Sequence, residues 1–141
     1  MTLNLFGRYI TIRACFALVV SLILSTSCIS TSDDRYAISD DGSSINYSVA
    51  GSGDPTLVFI HGGLGCDKEI WNAQVSHFNK EHKVVSVSLA GHGKSDSTRS
   101  NYTMESFGKD VSAVANDLDL NEVILIGHSM GGLVCIEAAL I

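Results

Sequence analysis

Residues 123–132 run Val-Ile-Leu-Ile-Gly-His-Ser-Met-Gly-Gly, a stretch that combines an apolar run with a glycine-rich segment. Its first half, together with Glu122, predicts a strand at 122–126, because an unbroken apolar run is typical of a strand covered on both faces. Its second half is rich in glycine and leads into an apolar sequence from Leu133 onward, which predicts a helix. A strand that passes through one short turn into a helix is a building unit of parallel α/β sheets.

The turn places a serine between two glycines, in the pattern Gly127-x-Ser129-x-Gly131. In a nucleophile elbow, a strained turn with this pattern lifts the serine hydroxyl above the edge of the sheet. The two glycines keep neighbouring backbones from clashing, and Gly132 is expected to let the helix pack closely. Such a pattern arises by chance in roughly a few per cent of chains of this length. Its position between a strand and a helix nevertheless favours Ser129 as a catalytic nucleophile.

Upstream of this turn, the sequence alternates between segments typical of strands and of helices. Two strands at 36–39 and 44–50 flank the hairpin turn Asp40-Asp41-Gly42 and are expected to be antiparallel. Further strands are predicted at 56–60 and 83–89, and helices at 68–79 and 104–118, where apolar residues recur every three or four positions. The alternation predicts an α/β fold in which the later strands are parallel.

A second glycine-rich segment, His61-Gly62-Gly63-Leu64-Gly65, follows the apolar strand at 56–60. We call residues 61–67 the glycine loop. Such a loop can turn backbone N–H groups toward an oxyanion that develops above a nucleophile, and Gly63 is the candidate donor. The N–H of Met130, at the positive end of the following helix, is the second candidate. The alternative is a plain strand-to-loop turn, and His61 is expected to form structural hydrogen bonds rather than to act as a base.

Residues 1–28 are predicted to be a signal peptide, because Arg8 and Arg13 precede an apolar run at 15–24. About ten apolar residues are too few to cross a bilayer, which needs roughly twenty. We therefore expect an exported protein.

Small residues lead into Cys28 in the order Leu-Ser-Thr-Ser-Cys, which resembles the lipobox of bacterial lipoproteins. Lipidation of Cys28 would make residues 29–35 a tether and would anchor the protein to a membrane. Ser25 stands where a lipobox usually has an aliphatic residue, so ordinary cleavage near Ser27, giving a periplasmic or secreted protein, is the alternative.

The composition predicts one globular domain at 36–141, since 45% of the 141 residues are hydrophobic and 17% are charged. Removal of residues 1–27 leaves seven basic and fifteen acidic residues, a net charge of −8, which argues against a nucleic-acid partner. The histidines and cysteines show no ligand spacing, so no metal site is predicted. The glycine-rich loops lack the lysine and sequence of a phosphate-binding P-loop, and no cofactor is predicted. Cys66 and Cys135 are expected to be free thiols, with a disulfide between them as the alternative.

Three segments together resemble the first half of the α/β-hydrolase superfamily: 57–63, 89–96 and 123–132. The resemblance implies a sheet whose first strands are antiparallel and later strands parallel, with helices on both faces. It also implies that Ser129 forms an acyl-enzyme with a small-molecule ester, lactone or related acyl substrate. One departure concerns Ser88 and Ala90, where the family usually has aspartate and proline before Gly-His-Gly.

Members of this superfamily supply the acid and histidine of the triad after the serine, which would place both beyond Ile141. None of the five histidines present is expected to serve as the base. The first hypothesis is therefore a serine hydrolase of which this chain forms an incomplete domain, without the acid and the histidine. The alternative is a non-catalytic truncated remnant or a lipid-anchored interaction module, whose exposed strand at 122–126 would favour association. The sequence does not determine the oligomeric state.

Overall fold

Strands and helices alternate through residues 33–141, which are the residues that the computed structural model describes. The strands are β1 (Arg35–Ile38), β2 (Ser44–Ala50), β3 (Thr56–Ile60), β4 (Val84–Val87) and β5 (Val123–Gly127). The helices are α1 (Asn72–Phe78), α2 (Met104–Asp117) and α3 (Met130–Leu140), and a 3₁₀ turn (Lys68–Trp71) precedes α1. The predicted signal peptide with Cys28 and the predicted tether up to residue 32 lie outside the described residues.

The five strands form one mixed sheet in the order β1-β2-β4-β3-β5. β1, β2 and β4 pair in antiparallel fashion, whereas β3 is parallel to both β4 and β5. The predicted change from antiparallel to parallel strands is therefore confirmed. Ile60 pairs with Val87 on one side and with Gly127 on the other, so the carboxyl ends of the three parallel strands meet at one edge. Ligands of open α/β sheets bind at this edge.

Helices cover both faces of the sheet, as predicted. On one face, Val58 and Ile60 pack with Phe107 and Val111 of α2 and with Val134 of α3 in the larger buried cluster. The buried cluster on the other face is smaller. It contains Leu57, Phe59 and Val84, and the partly buried Trp71, Val75 and Ile126 pack against them. The predicted apolar stripes of the helices are thus the surfaces that bury the sheet.

The ends of several elements differ from those predicted. The helix predicted at 68–79 begins as a 3₁₀ turn, because the Asp67 carboxylate caps it by accepting a hydrogen bond from the Glu69 N–H. The last helix begins at Met130 rather than Leu133, since the chain enters it directly after Ser129. β1 begins at Arg35, so the end of the predicted tether belongs to the sheet.

A buried ion pair holds the segment between β4 and α2. The Arg99 guanidinium donates to both carboxylate oxygens of Asp110, at 3.0 and 2.6 Å, and Asp110 also accepts a 3.4 Å hydrogen bond from the Ala90 N–H. Burial raises the pKa of Asp110, while Arg99 opposes this shift. The pair therefore fixes the loop after β4 to α2 through bidentate hydrogen bonds.

β5 and α3 expose apolar side chains. β5 is an edge strand of the described sheet, Ile124 is 48% exposed, and Leu133 and Ile136 of α3 are 56% and 59% exposed. A helix that is apolar all round is typical of an element covered on more than one side. Within residues 33–141, no helix combines the length and hydropathy that a membrane span requires.

Candidate active site

Ser129 occupies the strained turn that the sequence predicts. It lies with His128 between β5 and α3, and its backbone has φ 53° and ψ −118°. A positive φ is uncommon for a residue other than glycine and marks stored strain. The side chain is exposed at the edge where the parallel strands end.

The flanking glycines are required by close backbone contacts. A Cβ atom on Gly127 would lie 2.3 Å from the carbonyl carbon of Gly131, and one on Gly131 would lie 2.4 Å from the carbonyl oxygen of Ile60. The expectation for Gly132 is wrong, because a Cβ there would meet nothing within 4 Å among the described residues. Close helix packing occurs instead at Gly108 of α2, where a Cβ would lie 2.8 Å from Cβ of Glu137.

The glycine loop lies beside this turn. A Cβ on Gly62 would be 3.4 Å from Cβ of Ser129, and one on Gly63 would be 3.6 Å from the sulfur of Met130. The structure therefore brings together Ser129 and the segments that carry both candidate N–H donors. Sequence analysis missed the approach of Gly62 to Ser129, because glycine repeats in this loop do not show which member faces the serine.

His61 fixes the first residues of the glycine loop. Its Nε2 accepts a 3.0 Å hydrogen bond from the Leu89 N–H, which requires an unprotonated nitrogen. Its Nδ1 then carries the proton and donates to the Gly62 carbonyl oxygen at 2.5 Å. Burial of the ring lowers the pKa of His61, which favours the same neutral form. His61 therefore forms structural hydrogen bonds, as the sequence predicts.

The other histidines have contacts away from the serine hydroxyl. The Nδ1 atoms of His82 and His92 lie within hydrogen-bond distance of the carbonyl oxygens of Pro55 and Ala90, and His77 packs on Phe78. His128 follows the strand, donating its N–H to the Ile60 carbonyl at 3.0 Å, and its ring lies against Gly62. Among residues 33–141, no hydrogen bond thus links a histidine side chain to the Ser129 hydroxyl.

The part of the chain that the structure describes contains no cluster of three or more potential metal ligands. Cys66 and Cys135 are both free thiols. Burial raises the pKa of Cys135, which keeps its thiol protonated and unreactive.

The chain is similar in sequence and in fold to known proteins. The model of the family described as the alpha/beta hydrolase fold matches residues 55–141. An (E)-2-((N-methylformamido)methylene)succinate hydrolase of Acinetobacter baylyi is 36% identical over 89 residues, which are 63% of this chain and 33% of that protein. The 3-oxoadipate enol-lactonase 2 of the same species is 32% identical over 90 residues, which are 63% of this chain and 33% of that protein.

A similar solved structure is that of Est816, described as an N-acyl homoserine lactone degrading enzyme. It superposes with a TM-score of 0.70 at 28% identity, over 75% of this chain and 40% of that one. The chain thus spans about a third of the length of the two curated relatives and two fifths of the solved one.

Two adjacent glycines provide a matched test of the packing at the turn. We expect Gly131→Ala to lower the free energy of unfolding by about 3 kcal/mol, because its methyl group must displace the β3 carbonyls. Gly132→Ala should instead raise it by about 0.4–1 kcal/mol, since its methyl group enters open space in a helix. Urea unfolding measures both values, and equal effects of the two substitutions would contradict the described packing.

His61 should make stability depend on pH. Its pKa is lower in the folded protein than the value of 6.5 expected in the unfolded chain, so the unfolded chain binds more protons below pH 6.5. The contribution is fully present above pH 6.5 and decreases as the pH falls toward the folded pKa, by at most about 1.4 kcal/mol per pH unit.

Urea unfolding between pH 5 and 8 should therefore give a smaller slope for His61→Gln than for the wild type. His77→Gln, which changes an exposed histidine, is the control and should keep the wild-type slope. Parallel pH profiles for the wild type and His61→Gln would show that His61 does not carry this dependence.

Proposed function

Because this chain belongs to the α/β-hydrolase fold family, we propose that it functions as a serine hydrolase of an ester, lactone or related acyl bond. The observation that carries the proposal is the exposed, strained Ser129 beside Gly62 and Gly63. A nucleophile at the end of a strand and a glycine-rich backbone next to it are the two parts that acyl transfer requires first.

In the proposed reaction, the Ser129 hydroxyl oxygen attacks the acyl carbon while its proton passes to a general base. The carbonyl oxygen becomes an oxyanion, which the N–H groups of Gly63 and Met130 stabilise. Loss of one such donor typically costs about 10²–10³ in kcat. The leaving group departs with a proton, and water then hydrolyses the acyl-enzyme. This chemistry needs no metal or cofactor.

A small acyl compound is the proposed substrate. The relatives described above are a succinate-derivative hydrolase, an enol-lactonase and a lactone-degrading enzyme, and their names support hydrolysis as the type of reaction. We propose that the base and acid lie in sequence that follows Ile141, since His61, His82 and His92 bond elsewhere. The proposal is supported by the coverage of the two curated relatives, because the chain matches only 33% of the length of each.

A non-catalytic interaction module is the second candidate. The observation that favours it is the apolar surface of β5 and α3, because exposed apolar edge strands invite pairing with another chain.

Covalent labelling distinguishes the two candidates. We expect a fluorophosphonate to add to Ser129 in a version of the protein that continues past Ile141 in its reading frame, and not to add to Ser129→Ala of that version. Mass spectrometry of the intact protein and of its peptides measures the labelling, and Ser97→Ala, which changes another exposed serine, is the control. Absence of labelling in the longer protein, with association that depends on concentration, would favour the interaction module.

We also propose that the protein is exported and that Cys28 is lipidated, which would make a membrane surface its second partner. The support is the sequence pattern of residues 1–28 alone. In cells with a lipoprotein pathway, the N-terminal peptide should carry acyl chains on Cys28, and Cys28→Ser should release the protein from the membrane fraction. An unmodified N-terminus after Ser27 would establish ordinary secretion instead.

A further inference from the structure

Asp34 lies between two lysines that follow different strands of the sheet. Its Oδ1 accepts a 2.8 Å hydrogen bond from Nζ of Lys68, and its Oδ2 bonds Nζ of Lys94. The side chain of Lys68 is only 6% exposed, whereas that of Lys94 is 60% exposed. Nδ2 of Asn46 donates a third, longer hydrogen bond to Asp34, at 3.4 Å. The two lysines hold the pKa of Asp34 well below its usual range, so the carboxylate is ionised near neutral pH.

Lys68 follows β3 and Lys94 follows β4, and both strands end at the edge of the sheet where Ser129 lies. Lys68 directly follows the glycine loop, and its backbone N–H donates to Oγ of Ser88 at 3.2 Å. Lys94 belongs to the loop after β4, next to Gly93, whose φ is +55°. A Cβ on Gly93 would lie 3.0 Å from Cβ of Asp67, so the loops are packed in direct contact.

The middle of the glycine loop has few contacts of its own. Leu64 is fully exposed with φ 54°, and a Cβ on Gly65 would meet nothing within 4 Å among the described residues. One end is held by the hydrogen bonds of His61, and the other end is held at Lys68. The position of Gly63 between them therefore depends on both ends.

We propose that Asp34 is a positioning residue that fixes the glycine loop over Ser129 by holding Lys68 and Lys94. The proposal extends the proposed function, because it rests on Gly63 as an oxyanion donor. A buried ammonium group needs a paired charge, so Lys68 takes its position from Asp34. Asp34 lies at the entrance of β1, 34 residues before Lys68, and so connects the start of the domain with its catalytic edge.

Hydrogen exchange tests the positioning independently of activity. In the full-length protein, Asp34→Asn should speed amide exchange in the peptide covering residues 61–67 by about tenfold or more, which reports local opening. Peptides of β3 and β4 should keep their wild-type exchange. Asp33→Asn is the matched control, because Asp33 is an exposed neighbour that pairs with Arg35 on the surface. Unchanged exchange at 61–67 in Asp34→Asn would overturn the proposal.

Kinetics test the consequence for the reaction. In Asp34→Asn, kcat for a small ester should fall by about 10- to 100-fold with KM nearly unchanged, because misplacement of a donor by about 1 Å costs up to this much. Asp34→Glu should restore part of the loss. The double variant Asp34→Asn/Lys68→Met, which buries no unpaired charge, should regain thermal stability without regaining kcat.

The outcomes separate this proposal from the proposed function. Recovery of kcat together with stability in the double variant would mean that Asp34 acts through stability alone, which overturns positioning. A wild-type protein that neither hydrolyses esters nor labels at Ser129 would refute the proposed function. The exchange at 61–67 would still decide whether Asp34 holds the loop.

Discussion

The contact between the first turn of α3 and the end of β3 is the constraint on which the rest of the site depends. Gly131 lies so close to the carbonyl oxygens of Ile60 and His61 that a methyl group would occupy their space. This approach lets the helix begin directly after Ser129 and forces that serine into a positive φ. The strain at the serine is therefore maintained by close packing between backbone segments that surround it.

The glycine loop lies beside Ser129 and packs against the loop after β4, and each of these loops is held by polar groups from elsewhere in the fold. The imidazole of His61 links the glycine loop to Leu89 just after β4, while Asp34 joins Lys68 to Lys94. The Arg99–Asp110 pair fastens the segment after β4 to α2. Apart from the exposed Asp34–Lys94 pair, these bonds lie in buried or partly buried surroundings, where a charged or polar group is costly unless it is paired. Their removal should affect loop position as well as stability.

The described domain combines a closely packed edge that carries Ser129 with an apolar flank. β3 and β4 are covered on both faces, whereas β5 and α3 leave Ile124, Leu133 and Ile136 in contact with solvent. Exposed apolar side chains that lie close together are typical of surfaces that pack against another element or a partner. The turn that carries Ser129 packs against the end of β3 and against the glycine loop.

Local patterns in the sequence determined the elements and the serine turn. Apolar runs predicted the strands and helices to within a few residues, and Gly127-x-Ser129-x-Gly131 predicted the turn. Both predictions were possible because burial and backbone strain restrict which residue types occur at neighbouring positions. Sequence patterns did not predict the strand order, the approach of Gly62 to Ser129, the open space at Gly132 or the pairing of Asp34 with Lys68, because each depends on how the chain folds. These features are distances between residues far apart in the chain, and a spacing along the sequence does not encode a distance through space until the sheet has brought the segments together.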